Sequence, residues 1–288
     1  MAKIRTLKKI LITGAGGLVG TRLTELLLLK GYTVHKLGRK SKLEVSEQQL
    51  NTANFFWNLE TGELDVNAFK DVSAIIHLAG AGVAEKRWTD NRKQEIIDSR
   101  VKSAQLIYNY LKTNKHTVKT FISAAAVGYY GDCGATSLTE LQPNGKGFLA
   151  EVCKLWEKAA TQFSDLEIRE VRCRIGIVLA KNGGALPELT RTLPVGVASY
   201  FSKDELYYPW IHLDDVCGIM IHALENENMA GAYNTCAPKP IPIKTLMQKI
   251  VASKKSNAIL IPAPTFAIKL ALGEMSEMVL NSQNCSSK

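Results

Sequence analysis

Two adjacent phenols carry the first chemical signal in this sequence. Tyr129 and Tyr130 lie in Val127-Gly128-Tyr129-Tyr130-Gly131-Asp132, directly after an apolar run at residues 118–126. The carboxyl end of a buried strand is where open α/β sheets bind ligands, and a phenol there can pass a proton to a substrate oxygen. Tyr129 and Tyr130 are therefore the candidate catalytic residues; packing against a cofactor is an equal use for them. Ser123 offers a hydroxyl, or a plain backbone hydrogen bond. Arg174 offers a guanidinium to an anionic substrate, or half of a structural ion pair. His212, with Asp215 close by, offers an imidazole beside a ligand, or a helix cap. Tyr130, Arg174 and His212 form the candidate substrate-contact set.

A second set of residues could hold a dinucleotide. Ile10 to Ile12 is a short apolar run that suits a strand buried on both faces. The glycines Gly14-x-x-Gly17-x-x-Gly20 follow at once, and Leu18, Val19, Leu23, Leu26 and Leu27 then recur at helical spacing up to Lys30-Gly31. Strand, glycine turn and helix in that order make a phosphate-binding entry. Gly14 permits the tight turn, Gly17 lets the backbone approach a pyrophosphate, and Gly20 lets the helix pack on the strand; the helix N-terminus presents free N–H groups to the anion. The spacing departs from G-x-G-x-x-G, so the context carries the reading. The expected cofactor contacts are Gly14, Ala15, Gly17, Leu18, Val19 and Gly20, joined by Leu78, Ala79 and Gly80 where a later strand ends in small residues. The second strand ends at Gly38-Arg39-Lys40-Ser41-Lys42, where an NAD-binding protein usually carries an acid for the ribose hydroxyls. Arg39 and Lys40 would instead pair with a ribose 2′-phosphate, which selects NADP(H) over NAD.

The elements that must position these residues alternate. Strands are expected at residues 32–37, 54–57, 73–78, 118–126 and 167–179. A long helix from 89 to 111 has Ile96, Ile97, Val101, Ala104 and Ile107 on one face; Arg100 interrupts it, either aimed at the site or held in a surface ion pair. A helix at 148–163 has Phe148, Val152, Leu155, Ala159 and Phe163 on one stripe. His77 reads as a satisfied interior histidine. Past Ala180 the alternation breaks at Gly183-Gly184 and at Pro187, Pro194 and Pro209. A strand at 207–213, a helix at 215–224 capped by Asp214, a short strand at Tyr233-Asn234 and helices at 243–253 and 266–280 complete the pattern. The expected fold class is α/β: a doubly wound parallel sheet, of the Rossmann kind that the family resemblance below implies, with a smaller C-terminal substrate lobe. Residues 1–180 are expected to form the NADP-binding domain and 181–288 the lobe, interleaved with it.

Bulk properties narrow the classes. The chain has 288 residues, 46% apolar and 22% charged, ordinary for a globular protein. No apolar run reaches membrane-spanning length, and the N-terminus lacks a signal-peptide layout, which makes the cytoplasm the expected compartment. The net charge of +9 is spread among acids rather than clustered, which argues against nucleic acid and for a local share serving an anionic cofactor. The six cysteines show no C-x-x-C spacing and the five histidines are dispersed, so no metal site is legible and the thiols read as reduced and mostly buried.

Together these pieces resemble the atypical short-chain dehydrogenase/reductases, within the epimerase-like family 39U subgroup of the NAD-dependent epimerase/dehydratase superfamily. The resemblance rests on Thr13 to Gly20, His77-Leu78-Ala79-Gly80-Ala81, Trp88 with Ser99-Arg100-Val101, and Val127-Gly128-Tyr129-Tyr130-Gly131. It continues through Phe148-Leu149-Ala150-Glu151-Val152, Trp156-Glu157, Arg174-Ile175-Gly176-Ile177-Val178-Leu179, Gly183-Gly184-Ala185-Leu186, Trp210-Ile211-His212 with Asp214-Asp215, Leu272-Gly273-Glu274 and Ser282-Gln283. It implies a Rossmann domain holding NADP(H), a substrate lobe, a small-molecule substrate of unassigned identity and, by analogy, a homodimer through the two long helices. Active members use a Ser/Thr and a Tyr-x-x-x-Lys pair, in which the lysine on the same helix face lowers the phenol pKa. Here Phe148 and Val152 stand at those positions, Lys154 falls on the other side of the helix, and Ala125 or Ala126 replaces the serine. Residues 195–206 lack the subgroup's usual glycine-rich segment, and relatives tend to run on beyond Ser282-Gln283, so a different substrate pocket and a shortened terminal lobe are expected. Three functions follow: an oxidoreductase or nucleotide-sugar-epimerase-like enzyme with displaced catalytic groups, a non-catalytic NADP(H)-binding sensor or partner protein, or a purely structural or interaction protein with a vacant fold.

Overall fold

The computed structural model describes residues 8–39, 51–202, 206–285 and 287. The first half alternates as its periodicity requires: β1 (Lys9–Thr13), α1 (Leu18–Leu29), β2 (Thr33–Gly38), β3 (Thr52–Asn58), β4 (Glu63–Leu64), β5 (Val72–His77), α2 (Asp90–Thr113), β6 (Thr120–Ala126), β7 (Ser137–Leu138), α3 (Phe148–Thr161) and β8 (Arg169–Ile175). The second half continues with β9 (Ile177–Ala180), β10 (Gly183–Gly184), α4 (Leu186–Thr190), β11 (Val197–Ser202), β12 (Tyr207–Tyr208), β13 (Trp210–His212), α5 (Leu213–Glu225) and β14 (Gly231–Thr235). It closes with β15 (Ile241–Pro242), α6 (Ile243–Ser253), β16 (Ile259–Pro264), α7 (Thr265–Leu272), α8 (Glu277–Leu280) and β17 (Asn284–Cys285).

The main sheet has the order β14-β8-β6-β5-β1-β2-β3-β4. Every pairing in it is parallel except β3 with β4. The chain leaves β1 toward β2 on one side and returns to β5 on the other, so a crevice opens at the carboxyl ends of β1 and β5, the ligand position in a doubly wound sheet. Strand alternation sorts the core into two layers. Ile10, Ile12 and Ile76 face α1 and α5, against Leu23, Leu27, Val216 and Met220. Leu11, Ile75 and Phe121 face α2 and α3, against Ile107, Leu111, Ala159 and the ring of Phe163. A third cluster of Ala198, Tyr208, Ile243, Leu246 and Met247 forms the smaller lobe. Residues 181–288 divide between two places: β14 is an edge strand of the main sheet and α5 packs on α1, whereas β11, β16 and α6 lie in the lobe.

Five sequence expectations are corrected. The strand expected at 207–213 is two short strands in different sheets, β12 and β13, parted at Pro209. The strand expected at 167–179 is two strands, because Gly176 leaves the sheet: a Cβ there would overlap the Pro209 carbonyl, and β9 pairs instead with β13. The cap of α5 is His212, whose Nδ1 accepts from the Asp214 N–H at 3.2 Å; Asp214 is spent on Arg22. The helix expected at 266–280 breaks at Gly273, which has φ +58, a conformation that L side chains disfavour. α3 ends at Thr161, and Phe163 reaches the core from the following 3₁₀ turn.

Candidate functional site

A groove of about 1810 Å³ runs across the carboxyl ends of β1, β2 and β5. Its floor is the turn Gly14 to Gly17 together with Leu78, Ala79, Gly80 and Ala81; Gly38, Arg39, Phe56 and Asn58 wall the far end. Two of the glycines serve the protein itself. Gly14 has φ +68, and a Cβ on it would come within 2.7 Å of the Leu78 carbonyl carbon; a Cβ on Gly20 would overlap the Gly14 carbonyl. Gly17 differs. Its φ of −83 suits any residue, and the nearest atom to an added Cβ is 3.4 Å away. The fold therefore does not demand glycine at 17; what the missing side chain leaves open is the groove. No side chain caps α1, so the first-turn N–H groups of Leu18, Val19 and Gly20 lack intrahelical partners and remain available to an anion. The side chains of Leu18 and Val19 turn away, Leu18 onto Gly183 and Val19 onto the core.

A buried chain of hydrogen bonds sets the floor. The Thr13 hydroxyl oxygen accepts from the Leu78 N–H (3.1 Å) and the Ala79 N–H (3.2 Å). Its own proton therefore goes to His77 Nδ1 at 2.8 Å, and His77 Nε2–H faces the Ser103 hydroxyl at 3.1 Å, which donates to the Ser99 carbonyl at 2.7 Å. Burial pushes the His77 imidazole down to about 4, the neutral state that this chain of donors requires. The Ser99 hydroxyl also accepts from the Ala81 N–H at 2.9 Å. The expected interior role of His77 is the observed one. Of the α2 side chains behind the loop, Ser99 is legible in the sequence only within the Ser99-Arg100-Val101 stretch and Ser103 not at all, because the spacing of a serine on a helix carries no signal of its own.

Arg39 lines the groove at the end of β2 and makes no ion pair among the described residues. Lys40 lies outside the described residues. The proton-transfer positions are apolar. Val152 is buried against Trp88, Ile96 and Met275, and the Phe148 ring meets the Trp88 ring edge-on at 4.8 Å. Ala125 is buried, and the Ser123 hydroxyl donates to the neighbouring Ala124 carbonyl at 2.8 Å.

The substrate-contact candidates are otherwise engaged. Tyr130 is 2% exposed; its hydroxyl donates to Asn234 Oδ1 at 2.7 Å and accepts from Arg174 Nη1 at 2.8 Å. Burial raises that phenol to about 12, away from the range of a proton shuttle at neutral pH. Arg174 is 3% exposed and forks onto Glu157, Nε to Oε1 at 2.7 Å and Nη2 to Oε2 at 3.0 Å. Both expectations of substrate contact thus give way to a buried ion-pair network that ties β8 to α3 and β14. Tyr129 is half-buried with Arg174 Cζ 3.7 Å above its ring. His212 is exposed and serves as the α5 cap. Of the two expectations for Arg100, aimed at the site or held in a surface ion pair, the surface pair is not formed: Arg100 is buried and bonds carbonyls. The described residues contain no group of three or more His, Cys, Asp or Glu able to hold a metal.

The sequence and fold have known counterparts. Residues 10–147 match the NAD dependent epimerase/dehydratase family. The chain is 32% identical to "Epimerase family protein SDR39U1 homolog, chloroplastic" of Arabidopsis thaliana, over 94% of this chain and 78% of that one. It is 32% identical to an epimerase family protein of Staphylococcus saprophyticus over 96% of this chain and 91% of the relative. The crystal structure of human epimerase family protein SDR39U1 (isoform2) with NADPH superposes with a TM-score of 0.83 at 26% identity, covering 97% and 91% of the two chains.

Proposed function

Because this chain belongs to the NAD-dependent epimerase/dehydratase family, we propose that its groove binds NADP(H) and that it works as an atypical short-chain dehydrogenase/reductase on a small molecule, as an oxidoreductase or nucleotide-sugar-epimerase-like enzyme of unassigned substrate. The observation that carries the reading is the bare Gly14–Gly17 turn under an uncapped α1, with Arg39 and no acid at the end of β2. Gly17 and the first-turn amides of α1 take the diphosphate. Arg39 takes the 2′-phosphate, with Lys40 as its sequence neighbour. Leu78, Ala79 and Gly80 form the floor, held by Thr13 and His77. A bound nicotinamide would supply hydride exchange. The human SDR39U1 structure, solved with NADPH, supports the choice of nucleotide.

This chain's own residues offer no Tyr-Lys proton relay: Phe148 and Val152 exclude water at that position, and the Tyr130 hydroxyl is committed to Asn234 and Arg174. Tyr129 is the remaining phenol at the end of β6. The apolar packing of Val152 equally favours the second reading, a non-catalytic NADP(H)-binding sensor or partner protein. A homodimer through α2 and α3 belongs to either reading. No helix among the described residues is long and apolar enough to cross a membrane.

Calorimetric titration tests the cofactor. NADPH should bind at least about tenfold more tightly than NADH, the worth of one charge-assisted contact, and Arg39→Asp should abolish the difference. Binding of neither nucleotide would end the proposal. NADPH consumption with carbonyl or nucleotide-sugar substrates, lost in Tyr129→Phe, separates the enzyme from the sensor.

A further inference from the structure

Arg100 is a buried cation without an anion. Its side chain belongs to a residue 8% exposed, yet no carboxylate among the described residues lies within ion-pair distance. Nη1 donates to the carbonyls of Ala81 (3.0 Å) and Ile96 (2.9 Å), Nε has no partner, and the guanidinium carbon sits 4.8 Å from the Trp156 ring. The other buried arginines are matched: Arg174 by Glu157 and Arg92 by Glu85 and Glu95. A buried charge left unpaired is costly and rare. Burial pulls the Arg100 guanidinium down to about 10.

The position of this charge gives it a use. A Cβ on Gly80 would stand 3.0 Å from Arg100 Cζ and 3.2 Å from Nη2, and Gly80 lines the same groove as Gly14 and Gly17. The guanidinium thus lies directly behind the Gly80 backbone, which lines the groove. Arg100 shares the support of this loop through the Ala81 carbonyl, but Ser99 also binds the Ala81 N–H and Arg92 the Gly82 carbonyl, and the carbonyl contact needs a donor rather than a full charge. We propose that Arg100 is the buried counter-charge for the diphosphate of a dinucleotide lying across Gly80, so that binding completes an ion pair the fold leaves open. This rests on the reading of the groove as a dinucleotide site.

The experiment compares wild type, Arg100→Met and Arg100→Lys by NADPH titration and by melting with and without NADPH. Arg100→Met should weaken NADPH about tenfold, the worth of one buried charge contact. Its nucleotide-free melting temperature should stay within about 2 °C of wild type or rise, since an apolar side chain replaces an unpaired charge. Arg100→Lys should recover most of the affinity. Unchanged NADPH affinity in Arg100→Met overturns the proposal. So does a nucleotide-free melting temperature that falls along with affinity in both variants, the mark of a structural role. Should wild type bind no NADPH, the cofactor reading fails by itself, and inorganic pyrophosphate decides the anion site: a melting shift present in wild type and lost in Arg100→Met upholds it, and no shift overturns it.

Discussion

Replacing Glu157 by glutamine is the sharpest test of how the end of β8 is built. Glu157 is 4% exposed and accepts two hydrogen bonds from Arg174, at 2.7 and 3.0 Å, and one from Arg172 at 3.1 Å. Glutamine keeps the shape and one acceptor oxygen but removes the charge, leaving Arg174 buried without an anion; Arg172 retains Glu170 at 3.0 Å. Removing one partner of a buried pair costs on the order of 3–5 kcal/mol. For a domain of this size each kcal/mol moves the melting temperature by roughly 2–4 °C, so a fall of roughly 6–20 °C is expected. Scanning calorimetry or urea unfolding followed by circular dichroism measures it. NADPH affinity measured well below the new midpoint should stay within about threefold of wild type, because Glu157 does not line the groove. A loss under about 1 kcal/mol would show that the network is solvated in solution and would return Arg174 to the pool of substrate-binding residues.

Other outcomes follow from the same geometry. Thr13→Val leaves the Ala79 N–H of the loop after β5 without its acceptor, at about 1–3 kcal/mol, while the Leu78 N–H keeps the Thr13 carbonyl at 3.2 Å; Thr13→Ser should behave as wild type in both melting and NADPH affinity, and equal behaviour of valine and serine refutes the hydrogen-bond chain. His77 has a folded pKa of about 4 against 6.5 unfolded, so the unfolded chain binds the extra proton between those values. Its contribution is full above pH 6.5 and lost as pH falls toward 4, about 3 kcal/mol in all. Urea midpoints across that window should slope less steeply in His77→Gln, and an identical slope would count against the assignment. Val152→Lys places an ammonium among Trp88, Ile96 and Met275, so it should destabilise the fold without restoring a proton relay, as melting and NADPH turnover can check. Burial raises the thiols of Cys153 and Cys173 to about 12, so a thiol reagent on the native protein should react first at half-buried Cys133; prompt labelling at Cys173 would contradict the core packing.

What the sequence determined by itself was the short-range pattern. Ile10 to Ile12 followed by spaced glycines and a helical leucine stripe left few alternatives, because strand alternation, glycine backbone freedom and helix periodicity act over one to seven residues. The basic end of β2 and the apolar pair Phe148 and Val152 were legible for the same reason: each is a residue type at a position that the elements alone define. The tertiary structure decided which partner each polar side chain takes. Tyr130 is closed off by Asn234, 104 residues away, and by Arg174, 44 residues away. Val152 is covered by Met275 from the far end of the chain. Arg174 found a carboxylate in the interior and Arg100 did not. A buried charge or hydroxyl is governed by desolvation and by whichever groups the packed sheet brings within 3 Å, and that juxtaposition is set by the crossing of distant segments, such as residue 209 against Gly176.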